Sequence, residues 1–170
     1  MRSVAFRVDD PEGRMDFLTR LLPEAIENLD EGTVPRWGEM TAQHMVEHLV
    51  WAFGLSTGKV EVTCEVPENQ REVMKAWLYN NQPSPRGFKN PKLPEAPGPL
   101  RYSSIREAKS AFMEALDDFA DRVKTNSGHM ETHPLFGALR MDEWERVHFK
   151  HGYHHLVQFG LLGDAEQQAV

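Results

Sequence analysis

The chain has 170 residues, a formal net charge of -7 and a pI near 5.6. A chain of this length can bury a core as one domain spanning residues 1–170. The acidic balance argues against nucleic-acid binding, because no basic stretch is present to neutralise a phosphate backbone. No segment approaches about 18 consecutive apolar residues, so a membrane span is not expected.

The expected location is the cytoplasm. Cys64 is the single cysteine, which excludes an internal disulfide and fits a reducing compartment. Acidic neighbours are expected to keep its thiol unreactive. The segment from Met1 to Pro11 carries two aspartates where a secretory signal peptide would need an apolar run.

Apolar periodicity predicts two helices in the first third of the chain. Asp9 or Asp10 caps the first, with Pro11 at its first position, and the helical period continues to Leu29 before Gly32 stops it.

The second predicted helix begins at Thr41 and ends at Gly58, and a shorter one covers residues 70–79. The stretch Pro83–Pro99 follows, with six prolines in seventeen residues. Such a stretch is neither helix nor central strand, and we interpret it as a crossover or a functional loop.

Two further long helices are predicted in the second half. Ser104-Ile105-Arg106-Glu107 is a capping box that begins the third long helix. A turn over His133–Gly137 precedes the last helix, predicted from Met141 to Leu162 with Gly163 as its cap. Strand signals are almost absent, so the predicted fold is an all-α four-helix bundle with a long proline-rich crossover between the second and third long helices.

Histidine spacing is the strongest functional signal. Six of the eight histidines form three pairs at four-residue spacing, at positions 44/48, 129/133 and 151/155, where composition alone predicts about 0.4 pairs. On a helix, this spacing places two imidazoles on one face. The 129/133 pair lies among helix breakers and is interpreted as incidental.

The last helix carries a stripe of three histidines. His148, His151 and His155 fall within roughly 60° of one another on a helical wheel, whereas His154 lies to one side. Three interpretations compete: satisfied core or surface histidines, a divalent metal site completed by the second helix, and a general base without metal. The last is the weakest because no serine or cysteine nucleophile is well placed.

A third metal ligand would come from the second helix. His48 is preferred to His44 because it lies deeper in the apolar stripe, beside Leu49 and Phe53. Three histidines leave a coordination position open for water or substrate. Gln158, His148 and His44 are candidates for the pocket or for residues that orient the ligands.

These residues also carry a family resemblance. The run from His148 to Gly160 resembles the last helix of DinB/YfiT-like proteins, which has a His-x-x-x-His pair followed by Gln. Trp37 and the segment Thr41–Leu49 resemble the second helix of that family. Arg86–Pro91, His133–Gly137 and Trp144 resemble a DinB-like branch of unknown function. The resemblance extends from about residue 6 to 162.

The resemblance implies a four-helix bundle, often a homodimer, with nickel or zinc bound by three histidines. Carried over by position, these are His48, His151 and His155. Some members of the family are thiol-dependent transferases, which implies a small-molecule substrate such as a low-molecular-weight thiol. The leading hypothesis is a metal-dependent transferase or hydrolase acting through an activated thiol or water.

Two alternatives remain open. The first is a non-enzymatic helical dimerisation or binding module whose histidines serve structure or pH sensing. The second makes Pro83–Pro99 a partner-docking segment in polyproline II form.

Overall fold

Helices dominate the part of the chain that the computed structural model describes, residues 4–86 and 97–163. The elements in chain order are α1 (Pro11–Asp16), a π-helical turn (Phe17–Leu21), α2 (Leu22–Glu27), α3 (Ala42–Ser56), α4 (Glu68–Lys75), a 3-10 turn (Ala76–Tyr79), α5 (Ile105–Thr125), β1 (Met130–His133), β2 (Gly137–Arg140) and α6 (Met141–Gln158). None of the described helices combines the length and apolar character needed to cross a bilayer. The fold of these residues is therefore mainly α-helical with one small sheet.

The first predicted helix is interrupted by a π turn. Asp10 caps α1 as expected, and its carboxylate accepts a hydrogen bond from the Gly13 N–H at 3.0 Å. Backbone dihedrals stay helical through the turn, where the Leu22 N–H bonds the Phe17 carbonyl five residues back. Pro23 has no N–H to offer the carbonyl four residues earlier, which favours a local change of helical pitch there.

The π turn lies where the first helical segment meets α6. A Cβ atom at Gly152 would stand 3.0 Å from Leu22 Cδ2 and 3.2 Å from Phe17 Cε1. A methyl group at this position would press on both side chains. Gly152 therefore permits close contact between α6 and the first helical segment.

Capping residues begin α3 and α5 where they were predicted. The Thr41 hydroxyl accepts a bond from the His44 N–H at 3.3 Å, and the Ser104 hydroxyl does the same for Glu107. Gly58 follows the end of α3 with a φ of +70°. Both helices begin at polar caps because their first N–H groups have no partner within the helix.

A β-hairpin corrects the expectation of a purely α-helical fold. β1 and β2 pair antiparallel with His133 opposite Gly137, so the predicted turn forms the hairpin's end. Gly137 has a φ of +75°, which glycine adopts without strain. Four-residue strands are too short for a clear alternation of apolar residues, and this hid them in the sequence.

The last helix ends earlier than predicted. It stops at Gln158, and Gly160, with a φ of +72°, terminates it instead of Gly163. The Leu161 N–H bonds the Leu156 carbonyl at 2.8 Å, and the Gly160 N–H bonds the Val157 carbonyl at 3.1 Å. These two bonds form a Schellman motif, which closes a helix at its first left-handed glycine.

The core lies between α3, α5 and α6. Phe53 of α3 packs edge-on or tilted against Phe112 and Phe119 of α5 at ring-centroid distances of 5.9 and 5.6 Å. Trp144 and Phe149 of α6 are fully buried. The His148 ring of α6 stacks on Phe53 at 4.0 Å, which places α6 beside α3 and brings the C-terminal histidines close to His48.

Candidate metal centre

Three histidines from two helices converge at one point. His48 lies on α3, and His151 and His155 lie one turn apart on α6. The Nε2 atom of His151 is 2.8 Å from Nε2 of His48 and 3.0 Å from Nε2 of His155. One ligand atom from each ring lies within 4.8 Å of the others, so the three side chains can hold a metal ion. We call these residues the histidine triad.

The protonation of one triad ring follows from its neighbours. The Gln158 Nε2 atom donates to the Trp37 carbonyl at 3.0 Å, because a carbonyl can only accept. The other end of the amide, Oε1, therefore faces His155 Nδ1 at 2.8 Å, and this nitrogen must carry the proton. His155 Nε2 is then unprotonated, and its lone pair points toward the other two rings.

Three neutral rings cannot satisfy this arrangement by hydrogen bonds alone. His151 Nε2 faces two nitrogens, and it can either donate its one proton or accept through its one lone pair. If it carries a proton, that one proton must serve both contacts. If it is unprotonated, its lone pair faces the lone pair of His155 Nε2. A tetrahedral zinc site needs nitrogens about 3.3 Å apart, from Zn–N bonds of about 2.0–2.1 Å. The donor set thus fits a divalent cation.

Burial keeps the triad uncharged at neutral pH. Burial lowers the pKa of His48 to about 4, with a smaller contribution from His154. Burial also lowers the pKa of His151 and of His155 well below the usual value, and the neighbouring histidines add to this effect. Neutral imidazole is the form that binds metal, so none of the three rings has to release the extra proton of an imidazolium before a cation binds.

Aromatic rings surround the triad. Trp51 stacks on His48 at a centroid distance of 5.9 Å, and His154 meets His155 edge-on at 5.2 Å. Trp37 meets His154 edge-on at 5.8 Å, and the Arg86 guanidinium lies over Trp37 at 5.2 Å. His154 itself contributes no nitrogen to the triad, in agreement with its position on the wheel.

His148 belongs to the core and not to the triad. Its ring stacks on Phe53 at 4.0 Å and meets Phe119 edge-on at 4.7 Å. Its Nε2 atom lies 2.8 Å from the Ser56 hydroxyl, which donates to the Phe53 carbonyl and so accepts from the ring. Burial lowers the pKa of His148 to about 3. The suggestion that His148 lines the metal pocket is not supported by any of these contacts.

His44 lies outside the triad as well. Its Nδ1 atom is 2.7 Å from the Thr41 hydroxyl, and its Nε2 atom is 3.1 Å from the Gly98 carbonyl. Glu47 accepts bonds from the Arg101 and Tyr102 N–H groups. Both side chains therefore hold the segment that leads into α5.

The other end of the proline-rich stretch is held by α6. The buried Lys150 ammonium donates to the Asn80 amide oxygen at 2.9 Å and to the Gln82 carbonyl at 2.8 Å. It also lies 4.0 Å from the Trp77 ring centroid. The sequence offered no sign of these anchors. The middle of Pro83–Pro99, residues 87–96, lies outside the described residues.

The 129/133 pair forms no metal group. His129 Nε2 lies 2.6 Å from a Glu131 carboxylate oxygen and 2.8 Å from an Arg122 nitrogen. His133 stacks on Phe136 at 4.5 Å. Within the described residues, the triad is the one group of three or more potential ligands that converge.

Comparison with known proteins finds one family. A family model described as a protein of unknown function, DUF1569, matches residues 23–160. This span includes the triad and Gln158. No curated protein matches the chain, and no solved structure matches it.

Proposed function

Because the chain belongs to the DUF1569 family, whose function is unknown, we propose its role from its geometry: it is a metal-binding protein with His48, His151 and His155 as ligands. The observation that carries the proposal is the convergence of three Nε2 atoms, with contacts of 2.8 and 3.0 Å. Imidazole suits zinc and nickel, which are the proposed ions.

The proposed centre is catalytic in type because three ligands leave a position open. A zinc or nickel ion held there would favour the thiolate of a bound thiol, or the hydroxide form of a bound water. The protein's own groups have separate tasks. Gln158 orients His155, and Trp51 stacks against the His48 ring.

The proposed reaction is a transfer or hydrolysis with a small-molecule substrate. The resemblance to DinB/YfiT-like proteins supports a low-molecular-weight thiol as that substrate, a four-helix bundle as the architecture and a homodimer as the assembly. The single cysteine supports a cytoplasmic location.

Metal analysis tests the proposal. Protein made without a histidine tag should contain about one zinc or nickel ion per chain, measured by mass spectrometry of the metals. A chelator should lower its melting temperature, since a ligand present at 100 times its Kd stabilises the native state by about 2.7 kcal/mol. Absence of metal, together with a melting temperature that zinc and nickel leave unchanged, would contradict the proposal and favour structural histidines.

A second measurement tests the thiol. Calorimetric titration with a small thiol should give binding to the metal-loaded protein and none to the metal-free protein. Equal binding to both forms would contradict a thiol held at the open position.

A further inference from the structure

The Gln158 side chain connects the triad to a loop. Its amide oxygen faces His155 Nδ1 at 2.8 Å, and its amide nitrogen donates to the Trp37 carbonyl at 3.0 Å. Gln158 is 5% exposed, so water does not compete strongly for either bond. One rigid amide thus contacts a ligand of the triad at one end and the backbone of a distant segment at the other.

The loop at residues 36–38 is fitted to this glutamine. The Arg36 N–H donates to the Gln158 backbone carbonyl at 2.7 Å. Gly38 has a φ of +84°, and a Cβ atom there would stand 3.0 Å from Gln158 Nε2. The loop therefore lies in direct contact with the Gln158 amide, through the Gly38 backbone and the Trp37 carbonyl.

The direction of the amide depends on the tautomer of His155. When Nδ1 carries the proton, Gln158 Oε1 accepts it and Nε2 is left to donate to Trp37. When Nε2 carries the proton, Nδ1 is an acceptor, and the amide must turn over to donate to it. Oε1 would then face the Trp37 carbonyl, and two acceptors repel.

A metal ion selects between these two states. Coordination through His155 Nε2 excludes a proton on that atom, so Nδ1 must carry it and the amide must point toward Trp37 as described. The Trp37 ring lies beside His154 at 5.8 Å and under the Arg86 guanidinium at 5.2 Å. The tryptophan at the edge of the centre is therefore coupled to the ligand by two hydrogen bonds.

We propose that Gln158 is a positioning residue that couples metal binding at His155 to the placement of the 36–38 loop and Trp37. The proposal rests on the proposed metal site. It goes beyond that site in assigning a conformational response to a segment that supplies no ligand. Metal binding at His155 Nε2 reinforces the tautomer that the Gln158–Trp37 bond already favours, so the loop is held more firmly in this arrangement than in the metal-free protein.

Fluorine NMR can follow this response. The chain has four tryptophans, so protein labelled with 5-fluorotryptophan should give four resonances, each assigned by a Trp→Phe variant. Zinc should shift the Trp51 resonance, because that ring stacks on His48. Zinc should also shift and sharpen the Trp37 resonance, although Trp37 contacts no ligand ring in the triad.

Two substitutions of Gln158 distinguish the bond of its amide oxygen to His155 from the bond of its amide nitrogen to Trp37. Gln158→Glu keeps an acceptor for the His155 Nδ1 proton but has no donor for the Trp37 carbonyl. Zinc affinity should stay within a few-fold of the wild type, the Trp51 shift should remain and the Trp37 response should vanish. Gln158→Leu loses both bonds, and zinc affinity should fall roughly 10- to 100-fold as for other groups that orient metal-binding histidines.

Gln43→Leu is the matched control. Gln43 is also 5% exposed and also donates to a backbone carbonyl, that of Tyr102 at 2.8 Å. Its bonds go to Tyr102 and Glu47 and not to the triad. Zinc affinity and the Trp37 response should both match those of the wild type.

The outcomes distinguish this proposal from the one on which it rests. A Trp51 shift without a Trp37 response in the wild type would overturn the coupling while leaving the metal site intact. A Trp37 response that survives in Gln158→Glu would overturn it as well. Zinc that binds nowhere and shifts no resonance would instead contradict the metal site.

Discussion

Two histidine clusters share helix α6 and differ in what their rings face. In the triad, the ring nitrogens face one another: His151 Nε2 lies 2.8 Å from His48 Nε2 and 3.0 Å from His155 Nε2. In the second cluster, the His148 ring stacks on Trp144 and the His133 ring is tilted against it, at centroid distances of 5.5 and 5.2 Å. Burial lowers the pKa in both clusters. Burial therefore does not distinguish the two clusters, whereas the convergence of ring nitrogens does.

Removal of one ring from each cluster should give the largest contrast. His151→Ala should reduce bound metal from about one ion per chain to almost none, a greater loss than the roughly 10- to 100-fold caused by changes outside the ligands. His148→Phe keeps an aromatic ring against Phe53, and the Ser56 hydroxyl keeps its bond to the Phe53 carbonyl. Metal content of this variant should equal that of the wild type. A similar loss in both variants would show that the clusters act as one site.

Lowering the pH should reduce the free energy of unfolding through the buried histidines of both clusters. In the metal-free protein, the folded-state pKa is about 4 for His48 and about 3 for His133 and His148, against about 6.5 in an unfolded chain. Between these values the unfolded chain binds more protons than the folded one. The free energy of unfolding should therefore fall as the pH is lowered from 6.5 toward 4, by about 1.4 kcal/mol per pH unit for each such histidine.

Urea denaturation at several pH values in this range checks the expectation. His148→Phe should reduce the slope of the free energy of unfolding against pH by the contribution of one histidine, about 1.4 kcal/mol per pH unit. An unchanged slope in this variant would mean that His148 can bind a proton in the folded protein.

Gly152→Ala tests whether the packing of α6 is independent of either cluster. The added methyl group would press on Leu22 and Phe17, and such overpacking typically lowers the free energy of unfolding by about 1–3 kcal/mol. Gly32→Ala is the control, because a Cβ atom there meets nothing within 4 Å. Denaturant midpoints should differ between the two variants, and metal affinity should not.

His44→Ala should have the smallest effect. His44 shares the four-residue spacing with His48, but it bonds Thr41 and Gly98. The free energy of unfolding should fall by less than about 1 kcal/mol, and bound metal should be unchanged, whereas His48→Ala should lose it. Metal loss in His44→Ala would place this residue in the centre after all.

Local signals predicted the parts of this structure that depend on short stretches of chain. Thr41 and Ser104 begin helices because a hydroxyl satisfies free N–H groups wherever such a helix occurs. His151 and His155 share a face because four residues make about one helical turn. The choice of His48 over His44 also followed from periodicity, since the deeper position in the apolar stripe faces the neighbouring helix.

The surroundings of His148 and the contacts of Glu47 and Lys150 could not be predicted, because they depend on which parts of the chain lie beside each helix. His148 and His151 are about 60° apart on a wheel, and nothing in the sequence says that α5 and the end of α3 surround His148 while His48, in the middle of α3, meets His151. Phe119 and Ser56 complete the surroundings of His148 from distant parts of the chain. The anchoring roles of Glu47 and Lys150 also depend on backbone carbonyls and N–H groups, which leave no trace in side-chain patterns.

The distance along the chain between the triad's members has a consequence for synthesis. His48 precedes its nearest triad neighbour, His151, by 103 residues. At translation rates of about 5–20 residues per second, the ribosome adds the last two triad histidines roughly 5–20 s after the first. A nascent chain therefore carries His48 for seconds before either α6 histidine exists, and the triad is incomplete until α6 has been made.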